Sequence, residues 1–519
     1  MVGTHPDADP NSLLEQICSK RGIDPAGLCA SLDSLPDEAL LANIGAVAER
    51  IGRAMFDNEP TVIFGHDDPD GITSTYVLYQ FFNACGYQKH NYFIPNRNLE
   101  SHGIQDSFVD FVREGGYKLV ITVDNGISSY EGVERLNQLG CEVVITDHHL
   151  IQPEKLPKAF AILNPQLPNC DYPFKSLAGV GVALMLTRYL GRTLEHQVPL
   201  SSYFWTAVGS IADKMPMQGI NRVIIRHVIE NWDHMDDPSV DFLLRNYKRI
   251  ETDTDVFNFM QYTSRLIANG REAGGQHTAM RFLLQMGDAK AELFQSMESQ
   301  QKKWEGELNR IFTFLDSVAT GFNSQAFIYF DDEGIIPYHL LGTGATYILG
   351  KLGVPTILLK QHNGNIVCEG RCGEGFNMVE AFTACRQHLK QYGGHVKAAG
   401  FTLEPDHYDV FLDCYNHYLA DNLPAQVPQT ETEPDATLAL DQFDPVNWRG
   451  LELLLPFGQQ HPEPRIMVKN TSLEELQKTF LFEHGSNSFP LGKNGNVLLH
   501  WKAPKLVKIL SLEPAGAPG

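Results

Sequence analysis

The sequence predicts an α/β protein with a parallel-sheet domain, a long connector helix, a smaller α/β domain and a β-rich tail. Three observations carry this. From Thr61 onward, short continuous apolar runs alternate with helical stretches, the texture of parallel strands buried on both faces by helices. One helical pattern, from about Asp288 to Val318, carries Leu293, Met297, Trp304, Leu308, Ile311 and Leu315 on one face and is too long for an ordinary packed helix. A stretch rich in Pro, Gln, Thr and Glu, Asp421 to Thr437, reads as a linker ahead of the tail.

In chain order, residues 1–56 read as a helical cap. Leu13, Leu14 and Ile17 recur at helical spacing, as do Ile44, Val47, Ala48 and Ile51, and Pro36 or Asp37 is placed to begin the second helix. The catalytic domain, 57–287, has strands at Val62 to Phe64, Leu119 to Val123, Val143 to Thr146 and Phe160 to Leu163, with helices from Ser74 to Ala84 and near Glu131 to Leu139. The connector occupies 288–320. The smaller domain, 321–425, has strands at Ala326 to Phe330 and Thr356 to Leu359, and the tail module spans 438–519.

A chain of 519 residues has room for about three domains. Its net charge of -22 argues against a protein that coats nucleic acid through a basic surface, but does not exclude an enzyme with a narrow basic groove and tightly held cations, since cations in a carboxylate cluster reverse the local field. Nine cysteines, an odd number without a CxxC pair, speak against a zinc site or a disulfide framework and for buried thiols in a reducing cytoplasm. No apolar run is long enough to cross a bilayer, and Met1 to Asn11 lack the basic start and apolar stretch of a secretory signal, so a cytoplasmic protein without a membrane partner is expected.

The chemistry gathers at strand ends. The first strand runs into His66-Asp67-Asp68-Pro69-Asp70-Gly71, the second into Asp124-Asn125-Gly126 and the third into Asp147-His148-His149. Asp213 follows a further apolar stretch, Ala207 to Ala212. Open parallel sheets bind ligands beyond the carboxyl ends of their strands, so these acids and imidazoles would share one edge. If His66-x-Asp68-x-Asp70 stays extended, its three side chains point the same way. Carboxylates packed so closely repel, and divalent cations remove that repulsion; mixed Asp and His ligation suits Mn²⁺ or Mg²⁺. Two such ions about 3.5–4 Å apart can clamp an in-line displacement at phosphorus. Any one Asp-Gly is usually a turn and a lone His-His usually carries nothing; the coincidence at three strand ends is what points to a metal site. Gly342-Thr343-Gly344 lacks a third glycine, and Gly179-Val180-Gly181 reads as close helix packing rather than a cofactor loop.

These motifs, with Gly209-Ser210-Ile211-Ala212-Asp213, resemble the four metal motifs of the DHH phosphoesterase superfamily. Ile94-Pro95-Asn96-Arg97, Leu163-Asn164-Pro165, Leu177 to Ala183 and Asn269-Gly270-Arg271 narrow the resemblance to the RecJ-type single-strand-specific exonucleases. Gly393-Gly394-His395-Val396-Lys397-Ala398-Ala399-Gly400 is similar to the signature of the associated DHHA1 domain, and Pro456 to Pro464 to the opening of the family's OB-fold module. The resemblance runs from about Leu13 to about Ile509.

It implies two divalent cations, Mn²⁺ or Mg²⁺, one on His66, Asp68 and Asp124 and the other on Asp70, Asp124, His148 and Asp213, with a hydroxide attacking phosphorus. It gives His149 to the scissile phosphate, Asp147 to the orientation of an imidazole, and Arg97, Arg271, Arg371, His395, Gly393 and Gly394 to substrate phosphates. It implies mononucleotides released from single-stranded DNA, 5′ to 3′, in recombination and repair, with RNA the nearest other substrate. A single-stranded DNA-binding protein would be the protein partner. A chain with its own cleft and tail needs no second copy, so a monomer is expected.

The sequence departs from the family pattern at Cys368-Glu369-Gly370-Arg371-Cys372, where small hydroxyl residues usually flank the arginine. A carboxylate there would repel a 5′-phosphate or pair with Arg371. Two other readings compete: a DHH phosphodiesterase for short RNA or cyclic dinucleotides, which would not need the tail, and an inactive DNA-binding scaffold, against which the retained ligands speak. In the tail, Phe480, Phe482, Phe489 and Trp501 could stack on bases, with Lys478, Lys493, Lys502, Lys505 and Lys508 for charge, but alternating aromatics in a small β-module are more often core.

Overall fold

The computed structural model describes residues 13–29, 31–96, 99–100, 103–151, 155–269, 275–373, 375–423, 433–442, 450–483, 494–503 and 505–514. Two compact units divide the chain, one running through Gln301 and resuming at Pro434, the other Lys302–Glu433. The smaller unit is thus an insertion in the larger.

In the larger unit, strands β1 (Thr61–Phe64), β2 (His90–Phe93), β3 (Leu119–Val123), β4 (Glu142–Thr146) and β5 (Ala161–Leu163) form one sheet in the order β2-β1-β3-β4-β5. Every pairing in it is parallel. Strands β1, β3 and β4, whose ends carry the chemistry, are adjacent, and β1 and β3 are buried along their whole length. β2 was not foreseen; it is an edge strand whose His90, Asn91 and Tyr92 are only half-buried, so it lacks the apolar run that marks its neighbours.

The helices of this unit are α1 (Leu13–Arg21), α2 (Ile44–Phe56), α3 (Pro69–Ala84), α4 (Asp106–Gly115), α5 (Tyr130–Gln138), α6 (Gly179–Leu194), α7 (Ser201–Ala212), α8 (Gly219–Asn231), α9 (Pro238–Asn246), α10 (Asp253–Ile267) and α11 (Thr278–Leu284). Asp37 caps a short 3₁₀ turn, Glu38–Leu40, rather than the second cap helix, which begins at Ile44. α12 (Gly287–Val318) is continuous from the first unit into the second.

Asp237 ties together the helices that bring acids to the site. Its Oδ2 accepts from Tyr76 Oη (3.1 Å) and Gln80 Nε2 (2.9 Å) on α3 and from Trp205 Nε1 (3.1 Å) on α7, while Oδ1 caps α9 at Ser239 (2.6 Å) and Val240 (3.2 Å). A buried carboxylate so fully hydrogen-bonded offsets its desolvation and fixes the pitch of α3 on α7.

The tail belongs to this unit. Strands β11 (Ala436–Ala439), β12 (Arg465–Thr471), β13 (Leu481–Phe482), β14 (Gly495–Ala503) and β15 (Leu506–Pro514) form a sheet in the order β11-β12-β14-β15-β13. Leu451, Leu454, Phe457, Ile466 and Trp501 share one apolar core with Ile17 of the cap and Val62 of the catalytic sheet. Polar ties reinforce it: Arg21 grips Asp435 through Nε (2.8 Å) and Nη2 (2.7 Å), and buried Arg222 donates to Leu454 O (2.8 Å). Phe480 and Trp501 are core residues and Phe482 is partly buried, while Phe489 and Lys493 lie outside the described residues.

The second unit holds β6 (Phe327–Asp331), β7 (Thr356–His362), β8 (Asn365–Arg371), β9 (Gln391–His395) and β10 (Ala398–Leu403) in the order β6-β7-β8-β10-β9, with β6 parallel to β7 and the rest antiparallel. Alternation sorts its side chains. Ile357 and Leu359 face a core with Phe382 of α14 (Met378–Ala384) and Phe411 and Tyr415 of α15 (Tyr408–Asn422), whereas Leu358 faces Leu315 of α12 and Ile348 of α13 (Leu341–Leu352). A disulfide joins Cys385 to Cys414, Cα atoms 5.9 Å apart, where no pairing was expected; partners on neighbouring helices leave no spacing signature. Most of the expected linker, 424–432, lies outside the described residues. No helix among the described residues is long and apolar enough to cross a membrane.

Candidate metal centre

Asp68 sets the geometry. Its side chain accepts from Gly71 N at 2.9 Å and so caps α3, with Pro69 pre-set at the first helical position. The His66–Asp70 segment is therefore not extended, as the alternation suggested. Asp70 sits in the first turn of α3 and is buried, and Asp68 keeps its second oxygen 3.1 Å from His66 Nδ1. The convergence survives, but a helix start produces it.

Asp124 leaves β3 in the left-handed region at φ 58°, a conformation that Asp tolerates better than most residues. This turns its carboxylate back toward the neighbouring strand ends. His148, following β4, places Nε2 3.1 Å from Asp124 Oδ1 and 3.7 Å from both Asp70 Oδ2 and Asp213 Oδ2. Asp213 is the C-cap of α7. Two ligand groups result, each with its donor atoms within 4.8 Å of one another: His66, Asp68 and Asp124, and Asp70, His148 and Asp213; Asp124, His148 and His149 also fall within that reach.

Asp147 points away from the cluster and builds its wall. It is fully buried and accepts from Ile127 N (3.0 Å), His148 N (2.7 Å), His149 N (3.1 Å) and His149 Nδ1 (2.8 Å). His149 is left with Nε2 free of that bond and a half-exposed ring. Asn164, in the Leu163-Asn164-Pro165 match, donates to His149 O at 3.0 Å and so supports the same loop.

The sequence did not reveal the part played by the start of α6. The backbone N–H groups of Gly179 and Val180 donate to Asp70 Oδ2 (2.7 Å) and Oδ1 (2.8 Å), putting a helix N-terminus behind a buried carboxylate. A Cβ on Gly179 would lie 2.5 Å from Asp124 Cβ. The signal was Leu177-Ala178-Gly179-Val180-Gly181, read as close packing, and at Gly179 that packing is against Asp124 of the acidic cluster.

The electrostatics are those of a site built for cations. Burial, with the charges of Asp70, Asp68, Asp147 and Asp213, pushes the Asp124 carboxyl well above the usual range. Burial likewise raises Asp70, and burial with the Asp70 charge raises Asp213 to about 6. Asp68 goes the other way: burial opposes ionisation, but the His66 hydrogen bond and charge and the Gly71 amide outweigh it, bringing the carboxyl down to about 2. Asp147 is lowered because its bonds to His149 and to backbone amides outweigh burial, and the same bond to Asp147 raises His149. Asp213 Oδ2 is buried with no hydrogen-bond donor. Oxygen and imidazole ligands, mutual repulsion and a buried carboxylate oxygen without a hydrogen-bond donor together fit divalent cations of the Mn²⁺ or Mg²⁺ kind.

Arg97 and Arg271 lie outside the described residues. In the second unit, Arg371 and Glu369 project from the same side of β8 and pair at 2.9 Å, beside Gly342 at the start of α13. Gly393, Gly394 and His395 are exposed on β9, opposite Ala398 to Gly400 of β10.

The DHH family, N-terminal domain, matches residues 60–208. The chain is similar to the single-stranded-DNA-specific exonuclease RecJ of Bacillus subtilis (strain 168), 27% identical over 488 residues, covering 90% of this chain and 60% of that protein. It is also similar to RecJ of Escherichia coli (strain K12), 27% identical over 487 residues, covering 87% of this chain and 82% of that protein. The chain thus spans 60% of the length of the first of these relatives and most of the second. The crystal structure of RecJ in complex with Mn²⁺ from Thermus thermophilus shares the fold, with a TM-score of 0.69 and 23% identity, covering 97% of this chain and 76% of that one.

Proposed function

We propose that this chain, a RecJ-type member of the DHH family, is a single-stranded-DNA-specific exonuclease that hydrolyses phosphodiester bonds to release mononucleotides, 5′ to 3′, in recombination and repair. The observation that carries the reading is the convergence of His66, Asp68, Asp70, Asp124, His148 and Asp213 at the carboxyl ends of adjacent parallel strands. The domain limits inferred from the sequence, catalytic 57–287, DHHA1 321–425 and OB-like tail 438–519, belong to the same proposal.

His66, Asp68 and Asp124 would hold one divalent cation and Asp70, His148 and Asp213 the other, with Asp124 shared. Such ions, when bound, supply Lewis acidity and a water acidified toward neutral pH. The residues do the rest. The α6 amides hold Asp70 in place. Asp147 fixes the His149 ring through Nδ1 and favours the imidazolium, whose Nε2–H can donate to a non-bridging phosphate oxygen. Arg371, His395 and the Gly393-Gly394 backbone would receive substrate phosphates, as would Arg97 and Arg271. A single-stranded DNA-binding protein would be the partner, and RNA the nearest alternative substrate.

The test is a time course with Mn²⁺ on single-stranded oligonucleotides labelled at either end, beside Asp124→Ala. Mononucleotides released from the 5′ end by the wild type alone support the reading. Turnover of short RNA without digestion of DNA would replace it with the small-substrate branch. Removing the tail from Leu438 cannot separate the two, because the tail shares the catalytic unit's core.

A further inference from the structure

The ligand carboxylates are not equally well held. Asp68 and Asp70 accept backbone N–H groups, from Gly71 and from Gly179 and Val180. Asp213 has a buried Oδ2 with no donor, and its position rests on the backbone at the end of α7 and the turn that follows. That turn is closed on the helix side by Lys214 in the left-handed region (φ 55°), with Lys214 N on Ile211 O (3.2 Å) and Met215 N on Ser210 O (3.1 Å).

Its far side is held by the tail. Met217 N donates to Gln459 O (2.9 Å), and Gln218 Nε2 donates to Gln460 O (2.7 Å). Gly458 packs against Met217 so closely that a Cβ there would lie 2.9 Å from Met217 Cγ. The tail turn is itself braced: Gly458 and His461 exchange backbone bonds of 2.8 and 3.0 Å, and His461 Nε2 meets Leu454 O at 2.9 Å. The His461 ring stacks on Phe457, centroids 5.5 Å apart, and Phe457 meets Trp501 of β14 edge-on at 5.6 Å.

We propose that the tail turn Gly458–His461 is a positioning element for the metal ligand Asp213, so that the tail module sets the affinity of one of the two cation sites. The inference rests on the proposed two-cation reading and deepens it. Deformation of the tail by a bound strand would be transmitted through Gln459 and Met217 to the Asp70–His148–Asp213 group and would leave the His66–Asp68–Asp124 group unchanged.

The test is a Mn²⁺ titration of the full chain, followed by electron paramagnetic resonance, with Asp213→Asn as the reference for loss of one site. Gln218→Ala removes an exposed link to the turn, and Gly458→Ala crowds Met217. The wild type should bind two Mn²⁺. Both tail variants should keep one site at wild-type affinity and weaken the other about 10-fold, as loss of outer-shell support does. Two unchanged sites in both variants, or equal weakening of both sites, would overturn the proposal. A wild type that binds no Mn²⁺ would overturn the cation reading itself, and this inference with it.

Discussion

Gly179→Ala sets two effects against each other. At the start of α6, helix propensity favours Ala over Gly by up to about 1 kcal/mol. Packing opposes it, because the new Cβ would lie 2.5 Å from Asp124 Cβ, 2.7 Å from its Oδ1 and 2.8 Å from its Cα. Carbon contacts settle near 3.5–4 Å, so either the helix start or the Asp124 turn must move by about 1 Å. Overpacking of this kind costs about 1–3 kcal/mol. The shift also strains the amide bonds to Asp70, now 2.7 and 2.8 Å, each worth about 1.5–3 kcal/mol to a charged acceptor. With one of the two amide bonds lost, packing wins by about 2–5 kcal/mol. Misplacing Asp124 and Asp70 together should lower kcat/KM about 100-fold. Thermal melts, a Mn²⁺ titration and single-strand hydrolysis read the three effects. Gly181→Ala is the control on the same helix: its Cβ would come closest to the flexible Leu177 side chain, at 3.2 Å, and should cost little. A Gly179→Ala protein with wild-type Mn²⁺ affinity and turnover would refute the reasoning, since α6 would then be a spectator.

Asp124→Asn should abolish hydrolysis yet raise the melting temperature measured in EDTA, because it removes a charge that Asp70, Asp68, Asp147 and Asp213 all repel while keeping a side chain suited to φ 58°; a lower metal-free melting temperature would contradict this. Glu369→Ser should release Arg371 from its 2.9 Å partner and raise the preference for 5′-phosphorylated over 5′-hydroxyl ends about 10-fold, the worth of one charge-assisted bond; an unchanged ratio of kcat/KM values would remove Arg371 from end recognition. Burial holds His461 neutral, down to about 4 from 6.5. A folded value below the unfolded one means stability present above pH 6.5 and lost as pH falls toward 4, at most about 3 kcal/mol for this shift. Denaturant unfolding of His461→Asn between about pH 7 and pH 4 should show a shallower decline than wild type, and parallel curves would show that His461 does not couple to unfolding.

What was legible in the sequence followed from local chemistry. The continuous apolar runs at Leu119 to Val123 and Val143 to Thr146 could only be buried strands, and acids at their ends could only face one edge. β2 was hidden because an edge strand need not be apolar. The start of α3 was read at Ser74 rather than Pro69 because Asp68 and Asp70 were counted as metal ligands alone, although Asp68 is also a cap. The α6 amides have no side-chain signature at all, and a glycine that looked like packing proved to be packing against Asp124. Least legible was the fusion of the tail with the catalytic unit, since contacts such as Arg222 to Leu454 O join residues 232 positions apart.

That fusion bears on how the protein is made. A ribosome delivers the cap and the parallel sheet first, then Lys302–Glu433, and only afterwards the strands that complete the first unit's core. Until then the surfaces destined for Leu451, Leu454 and Phe457 stay open to water, while the inserted unit, whose apolar clusters are its own, can close. The catalytic unit is begun first and finished second, and its nascent form presents an apolar face for the whole time that the insertion takes to be synthesised.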